Sequence, residues 1–252
     1  MYSEKSFVQS VGKISDEIFL IKVFSPAIAT IIKPGQFCNI KVCENNLPLL
    51  RRPFSVSDVE DDCICFLFEV YGNGTDILSK KKNGDVLEIL GPLGKGFSYK
   101  DDFQKAIIVA GGLGVAPFPL LIKNIPGDKE IISLVGGRSN KQIVTKGLIN
   151  ISVATDDGSM GYKGTVLELL QEKIINIDMK KSRIFSCGPN PMLKALQKLC
   201  GENNYDCEIS VEGSMACGFG ICQGCPIEPV NGESYLLVCK DGPVFDSKAV
   251  KL

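Results

Sequence analysis

Up to about residue 99 the chain alternates apolar and polar positions with a period of two, in the short runs "FVQSVGKI", "EIFLIKVF", "GQFCNIKV", "PFSVSDV", "CICFLFEV" and "DVLEIL". That period sends successive side chains to opposite faces of a strand. Turn signals such as Lys33-Pro34-Gly35 and Lys82-Asn83-Gly84 separate the runs, and many short strands joined in this way predict a small antiparallel β-barrel. From residue 105 the rhythm changes. Apolar runs "KAIIVAGG", "EIISLVGG", "NISVATDDG", "SRIFSCGPN" and "DCEISVEG" alternate with helix-period stretches at 115–124, 140–148, 163–174 and 190–200. Strands alternating with helices predict a parallel sheet built from βαβ units. The junction falls in "GPLGKGFSYKDDF", residues 91–103, with its three glycines and charged run. We therefore expect a barrel over 1–100, an α/β domain over 101–212 and a small cysteine-bearing subdomain over 213–252.

Composition narrows the function classes. With 252 residues, 44% of them hydrophobic, the chain can bury two ordinary cores. Lys+Arg 28 against Asp+Glu 29 leaves a net charge of -1, which gives no electrostatic case for nucleic acid or an anionic membrane. No apolar stretch approaches the roughly 18 residues of a membrane span, and "MYSEKSFVQSVGKI" lacks the pattern of a signal peptide. A cytoplasmic protein is expected. The chain has no histidine, which excludes His-based acid–base catalysis, a serine-type triad and histidine-ligated metal.

Of the 11 cysteines, four are arranged as Cys217-x4-Cys222-x2-Cys225-x13-Cys239. Three thiols in one loop with a distant fourth match the plant-type spacing of a [2Fe-2S] cluster. Structural zinc sites usually take two short hooks instead. Gly218, Gly220 and Gly224 lie between the ligands, where backbone N–H groups must approach sulfide with no Cβ in the way. Six of the other cysteines read as small buried hydrophobes.

Two further loops have chemistry of their own. "AGGLGVAPF", with Gly111, Gly112 and Gly114, follows the first strand of the α/β half and opens its first helix. "SCGPNPML", with Cys187, Gly188 and Pro189, repeats the arrangement after a later strand. Glycine there lets the backbone approach a pyrophosphate at a helix N-terminus, and two such loops at one sheet edge suggest a dinucleotide crevice.

Together the barrel, "RPFS" at 52–55, "GNGT" at 72–75, "GGLGVAP" at 111–117 and "CGP" at 187–189 resemble the ferredoxin-NADP reductase family, in its order. The tail "CGFGICQGC...VCKDGPVF" resembles that of the electron-transfer subunits of NAD-linked, two-subunit dihydroorotate dehydrogenases.

The resemblance implies that the barrel binds FAD and the α/β domain NAD. By it, Arg52 holds the FAD pyrophosphate, Phe54 lies against the isoalloxazine ring, Ser55 bonds its edge, and Pro53 between them belongs to the same cofactor-binding run. Leu67, Phe68 and Glu69 line the flavin, while Gly74 and Thr75 offer donors to its phosphates. Where Phe54 stands, the wider family usually has tyrosine. Cys187, with Gly188 and Pro189, sits where nicotinamide meets flavin, or simply ends a buried strand. Gly111, Gly112 and Gly114 approach the dinucleotide, and Gly136 and Arg138 touch its adenosine half. Arg138 could also receive a 2'-phosphate, so NAD against NADP stays open.

Nicotinamide gives up a hydride, two electrons at once, whereas the cluster takes one, so a flavin between them is a chemical requirement. Nothing in the sequence looks built to oxidise an organic acid. The resemblance supplies the missing part as an FMN-containing catalytic subunit of dihydroorotate dehydrogenase, two of each chain forming a heterotetramer in pyrimidine biosynthesis. The alternatives are a flavin/iron-sulfur subunit of a ferredoxin:NADP transhydrogenase, sulfide dehydrogenase or hydrogenase, and a zinc-stabilised interaction module.

Overall fold

A computed structural model describes every residue except Asp16, Asn45, Asn46 and Glu233. The first half forms β1 (Tyr2–Lys13), β2 (Ile18–Phe24), the short helix α1 (Pro26–Ala29), β3 (Phe37–Lys41), β4 (Arg52–Glu60), β5 (Cys63–Glu69), α2 (Asn73–Ser79) and β6 (Val86–Leu93). The strands close into a six-stranded antiparallel barrel in the order β1-β2-β5-β4-β3-β6. Alternation explains its filling. Ile21, Val23, Cys38, Ile40, Ile64, Phe66, Leu87 and Ile89 point inward and form one core. Outward residues of three strands are also buried: Leu67 of β5 joins the core of the second half, and Phe37 of β3 and Leu93 of β6 join a third core. That double burial is why β5 reads as an unbroken apolar run.

The second half runs β7 (Lys105–Gly111), α3 (Phe118–Asn124), β8 (Glu130–Gly137), β9 (Ile151–Thr155), β10 (Tyr162–Lys163), α4 (Val166–Ile174), β11 (Ser182–Cys187), α5 (Asn190–Asn203) and β12 (Asp206–Ser210). These strands make a parallel sheet in the order β10-β9-β8-β7-β11-β12. Alternate residues of β7 separate its faces. Ile107 and Val109 pack with Val166, Leu169, Leu193 and Leu196 of α4 and α5, while Ala106 and Ile108 pack with Phe118 and Leu121 of α3. A reciprocal cap starts α4: Glu168 N donates to the Thr165 hydroxyl at 3.2 Å, and Thr165 N donates to the Glu168 carboxylate at 2.7 Å. At its far end α5 stops at Asn204, whose φ of 54° takes the left-handed conformation of a C-terminal cap.

One predicted element is corrected. Residues 140–148 are not a helix: Asn140–Gln142 make a single 3₁₀ turn and the remainder is a loop. Ile143, Val144 and Thr145 are β-branched in succession and Gly147 sits at φ +76°, both unfavourable to a helix. Val144 and Leu148 are apolar because they are buried under α3, not because they share a helical face.

The C-terminal segment adds β13 (Pro226–Pro229), β14 (Leu236–Leu237), α6 (Val238–Asp241), β15 (Val244–Asp246) and β16 (Val250–Lys251). β15 extends the large sheet by pairing antiparallel to β12, and β14-β13-β16 form a small sheet. Cys225, Val238, Cys239 and Phe245 share one core with β7, β11 and the outer face of the barrel. Among the described residues no helix is long and apolar enough to cross a membrane.

Candidate functional site

Barrel, α/β sheet and C-terminal segment meet around a cavity of about 260 Å³. β4 supplies Arg52, Pro53, Phe54 and Ser55, β5 supplies Leu67, Phe68 and Glu69, and Cys187 comes from the end of β11. Ser210, Val211, Glu212, Gly213 and Met215 close the other side. Phe54 is held in place by ring contacts to Phe68 at 5.9 Å and Phe66 at 6.2 Å, both tilted, so an aromatic face is fixed rather than mobile. The Arg52 guanidinium donates to the Leu50 carbonyl and runs past α2: a Cβ on Gly74 would lie 2.6 Å from Arg52 Nε. "GNGT" is thus the start of a helix. The buried Thr75 hydroxyl is spent on that start, accepting from Tyr71 N at 3.1 Å and donating to Gly72 O at 3.1 Å.

Cys187 is buried, and burial, with Glu212 nearby, pushes its thiol up to about 12. It is a neutral thiol at pH 7. Glu212, also on the cavity wall, has its pKa raised by partial desolvation of its carboxylate there, although the residue as a whole is exposed. Around Cys187 the glycines permit close packing. A Cβ on Gly111 would meet Met192 Sδ at 2.6 Å, and one on Gly188 would lie 3.0 Å from Gly111 N. Gly112 has φ +54° with open space before it, and Pro189 directly precedes α5. Gly136 and Arg138 lie at the carboxyl end of β8 and do not line the cavity. Gly136 has a packing reason, since a Cβ there would meet Val166 Cβ at 2.7 Å. Arg138 is exposed, its N–H donating to the Gln142 side chain at 2.9 Å.

The four cysteines of the tail come together as two pairs. Cys222 N donates to Cys217 Sγ at 3.4 Å, and Cys239 N donates to Cys225 Sγ at 3.4 Å. Burial would raise the Cys217 thiol, but N–H groups of Cys222, Phe219 and Ile221 outweigh it and leave it at about 6. At Cys239, burial and then the crowding sulfur of Cys225 push the thiol up to about 12. Among the described residues no three ligating side chains converge as for a single metal ion. The loop's geometry needs glycine at Gly218 and Gly220, with φ of +82° and +89°.

A family model for the iron-sulfur cluster binding domain of dihydroorotate dehydrogenase B matches residues 212–251. The dihydroorotate dehydrogenase B (NAD(+)) electron transfer subunit of Caldanaerobacter subterraneus subsp. tengcongensis is 42% identical, over 86% of either chain. The chain belongs to this family of electron-transfer subunits. That of Fusobacterium nucleatum is 32% identical over 100% of both chains. In fold the chain is similar to an NADH-dependent reduced ferredoxin-NADP oxidoreductase described for flavin-based electron bifurcation, with TM-score 0.84, 25% identity, and 98% and 89% of the two chains covered. A Neisseria gonorrhoeae ferredoxin NADP+ reductase, solved with bound FAD and NADP, has TM-score 0.67 at 17% identity over 80% of this chain and 92% of its own.

In such an electron-transfer subunit, Glu212 and Met215 are wall residues that the sequence reading passed over. The available signal was position: both lie between the end of β12 and the first thiol, a segment that had to cross from the sheet edge to the cysteine loop.

Proposed function

We propose that this chain carries electrons between a catalytic partner subunit and NAD, with FAD in the cavity and a [2Fe-2S] cluster on Cys217, Cys222, Cys225 and Cys239. The observation that carries the reading is the course of one segment. Met215 lines the cavity, Ala216 follows, and Cys217 is the first thiol of the loop. A single residue separates the cavity wall from the cluster ligands, which gives electron transfer the proximity it needs.

FAD, when bound, exchanges a hydride with nicotinamide and single electrons with an iron-sulfur centre. The protein's own side chains do the rest. Phe54 offers a fixed aromatic wall and Ser55 a hydroxyl to the ring edge. Arg52 brings a planar cationic fork suited to a diphosphate, beside the N-terminal turn of α2 at Gly74 and Thr75, whose first N–H groups have no intrahelical partner. The cavity has room for a ring system and not for a whole dinucleotide, so the phosphates and adenosine extend outside it. Cys187 fills the floor with a small, uncharged, polarisable group that leaves space for nicotinamide. Gly111, Gly112, Gly114, Gly188 and Pro189 shape the approach, and Arg138 at the end of β8 faces the adenosine half.

The partner supplies the FMN and the oxidation of dihydroorotate, in a heterotetramer of two of each chain in the cytoplasm. It docks at the thiol loop, where Phe219, Ile221 and Cys222 are exposed. Anaerobically purified protein tests the reading. The expected result is about two irons, two sulfides and one FAD per chain, with NADH reducing an artificial acceptor. A colourless, zinc-containing protein without flavin would overturn it.

A further inference from the structure

Asn39 is a fully buried polar residue on a barrel strand, on the same outward face of β3 as Phe37. Its Nδ2 donates to the backbone carbonyl of Cys217 at 3.0 Å, joining positions 178 residues apart. Its Oδ1 is buried and has no partner among the described residues. The neighbouring loop is built around this amide: a Cβ on Gly218 would lie 2.2 Å from Asn39 Nδ2. Through its backbone the same residue is registered on β4, with Asn39 opposite Pro53, Cys38 opposite Phe54 and Ile40 opposite Arg52. One residue thus belongs to the strand pair that carries the flavin-side residues and is bonded to the first thiol ligand.

We propose that Asn39 is a positioning residue for electron transfer, locking the Cys217 end of the cluster loop to the strand pair that holds the flavin. The inference rests on the placement of FAD and cluster proposed above. The step it serves moves one electron from reduced flavin to the oxidised cluster, where one ferric iron becomes ferrous and no atom is transferred. Burying an amide with an unsatisfied oxygen costs stability, and an apolar residue of similar volume would pack there at least as well. A purely structural role therefore predicts an apolar residue, whereas holding a carbonyl in register requires a donor.

Asn39→Leu and Asn39→Asp test this in the full chain with its cofactors. Asn39→Leu loses both the donor and the orphan oxygen, and Asn39→Asp loses the donor once its carboxyl is ionised, so the Asp variant is compared on the alkaline side of that ionisation. Expected is an unchanged or higher melting temperature for Asn39→Leu, and unchanged flavin reduction by NADH in both variants. Subsequent cluster reduction, followed at the cluster's visible bands by stopped flow, should be slower by about fivefold, the factor equivalent to one ordinary hydrogen bond. The electron paramagnetic resonance signal of the reduced cluster should also change. If both variants keep the native cluster reduction rate and spectrum, the inference is wrong. It is equally wrong if Asn39→Leu unfolds while Asn39→Asp behaves as native. A native chain lacking flavin or cluster would instead overturn the cofactor placement, so the two failures are distinct.

Discussion

A Cβ on Gly114 would stand 2.2 Å from the carbonyl oxygen of Cys187. The first βα loop of the sheet is therefore packed directly onto the end of β11, and the two loops that flank the cavity act as one unit. Backbone occupies the contested space, so no side-chain rotation can relieve the clash. Gly114→Ala should lower the melting temperature by about 2–10 °C, as expected for overpacking worth roughly 1–3 kcal/mol. It should also slow flavin reduction by NADH while flavin stays bound. Calorimetry and stopped flow check both parts, and a variant with native values would show that the loops separate freely.

Arg52 is the cation of β4 on the cavity wall. If its fork holds the FAD diphosphate, Arg52→Ala loses charge-assisted hydrogen bonds worth about 1.5–3 kcal/mol, or roughly 10- to 100-fold in flavin affinity. Flavin should leave on desalting while the circular dichroism spectrum persists. Full retention of flavin would remove Arg52 from that role.

Much of the architecture is visible in the chain because strand period and turn chemistry are local. The barrel strands and the βαβ rhythm need only neighbouring residues to be read, and the cysteine spacing is itself a local pattern. What escaped depends on distant partners. Val144 and Leu148 mimic a helical stripe although they are buried for tertiary reasons. "GNGT" looks like a turn, but Thr75 folds its hydroxyl back to begin α2. β15 pairs with β12 across more than thirty residues of sequence, and nothing near Asn39 announces Cys217. Glu212 reads as the polar end of a strand until the fold sets it on the cavity wall opposite β4 and β5.

Glu212 gives the molecule a pH dependence of definite sign and small size, because the residue is exposed and solvent screens it. Burial raises its pKa above the ordinary value of 4.5, so the folded chain keeps a proton that the unfolded chain has released. Its contribution to folding is therefore most favourable below 4.5 and declines as pH rises through the raised value. Arg52 and Glu69 line the same cavity and remain in the variant, as does Glu208, whose pKa is also raised, mainly by burial. Glu212→Gln should be less sensitive to pH across that window and more stable than the native chain above it. Urea midpoints over a pH series decide this, and superimposable profiles would contradict it.

Serine at any of Cys217, Cys222, Cys225 or Cys239 removes one of the two thiols in a pair, and iron content should fall from about two per chain to well under one. Cys43→Ser, in the barrel and away from the loop, should retain full iron. Iron retained in all four ligand variants would show that the cluster is held elsewhere.

The division of labour between subunits is tested most directly by NADH formation from dihydroorotate, comparing this chain alone, the catalytic subunit alone, and the two together. Only the mixture should form NADH, at a rate that saturates with this chain. Dihydroorotate oxidation by this chain unaided, or no NADH from the mixture of cofactor-loaded subunits, would contradict its role as the relay between the catalytic subunit and NAD.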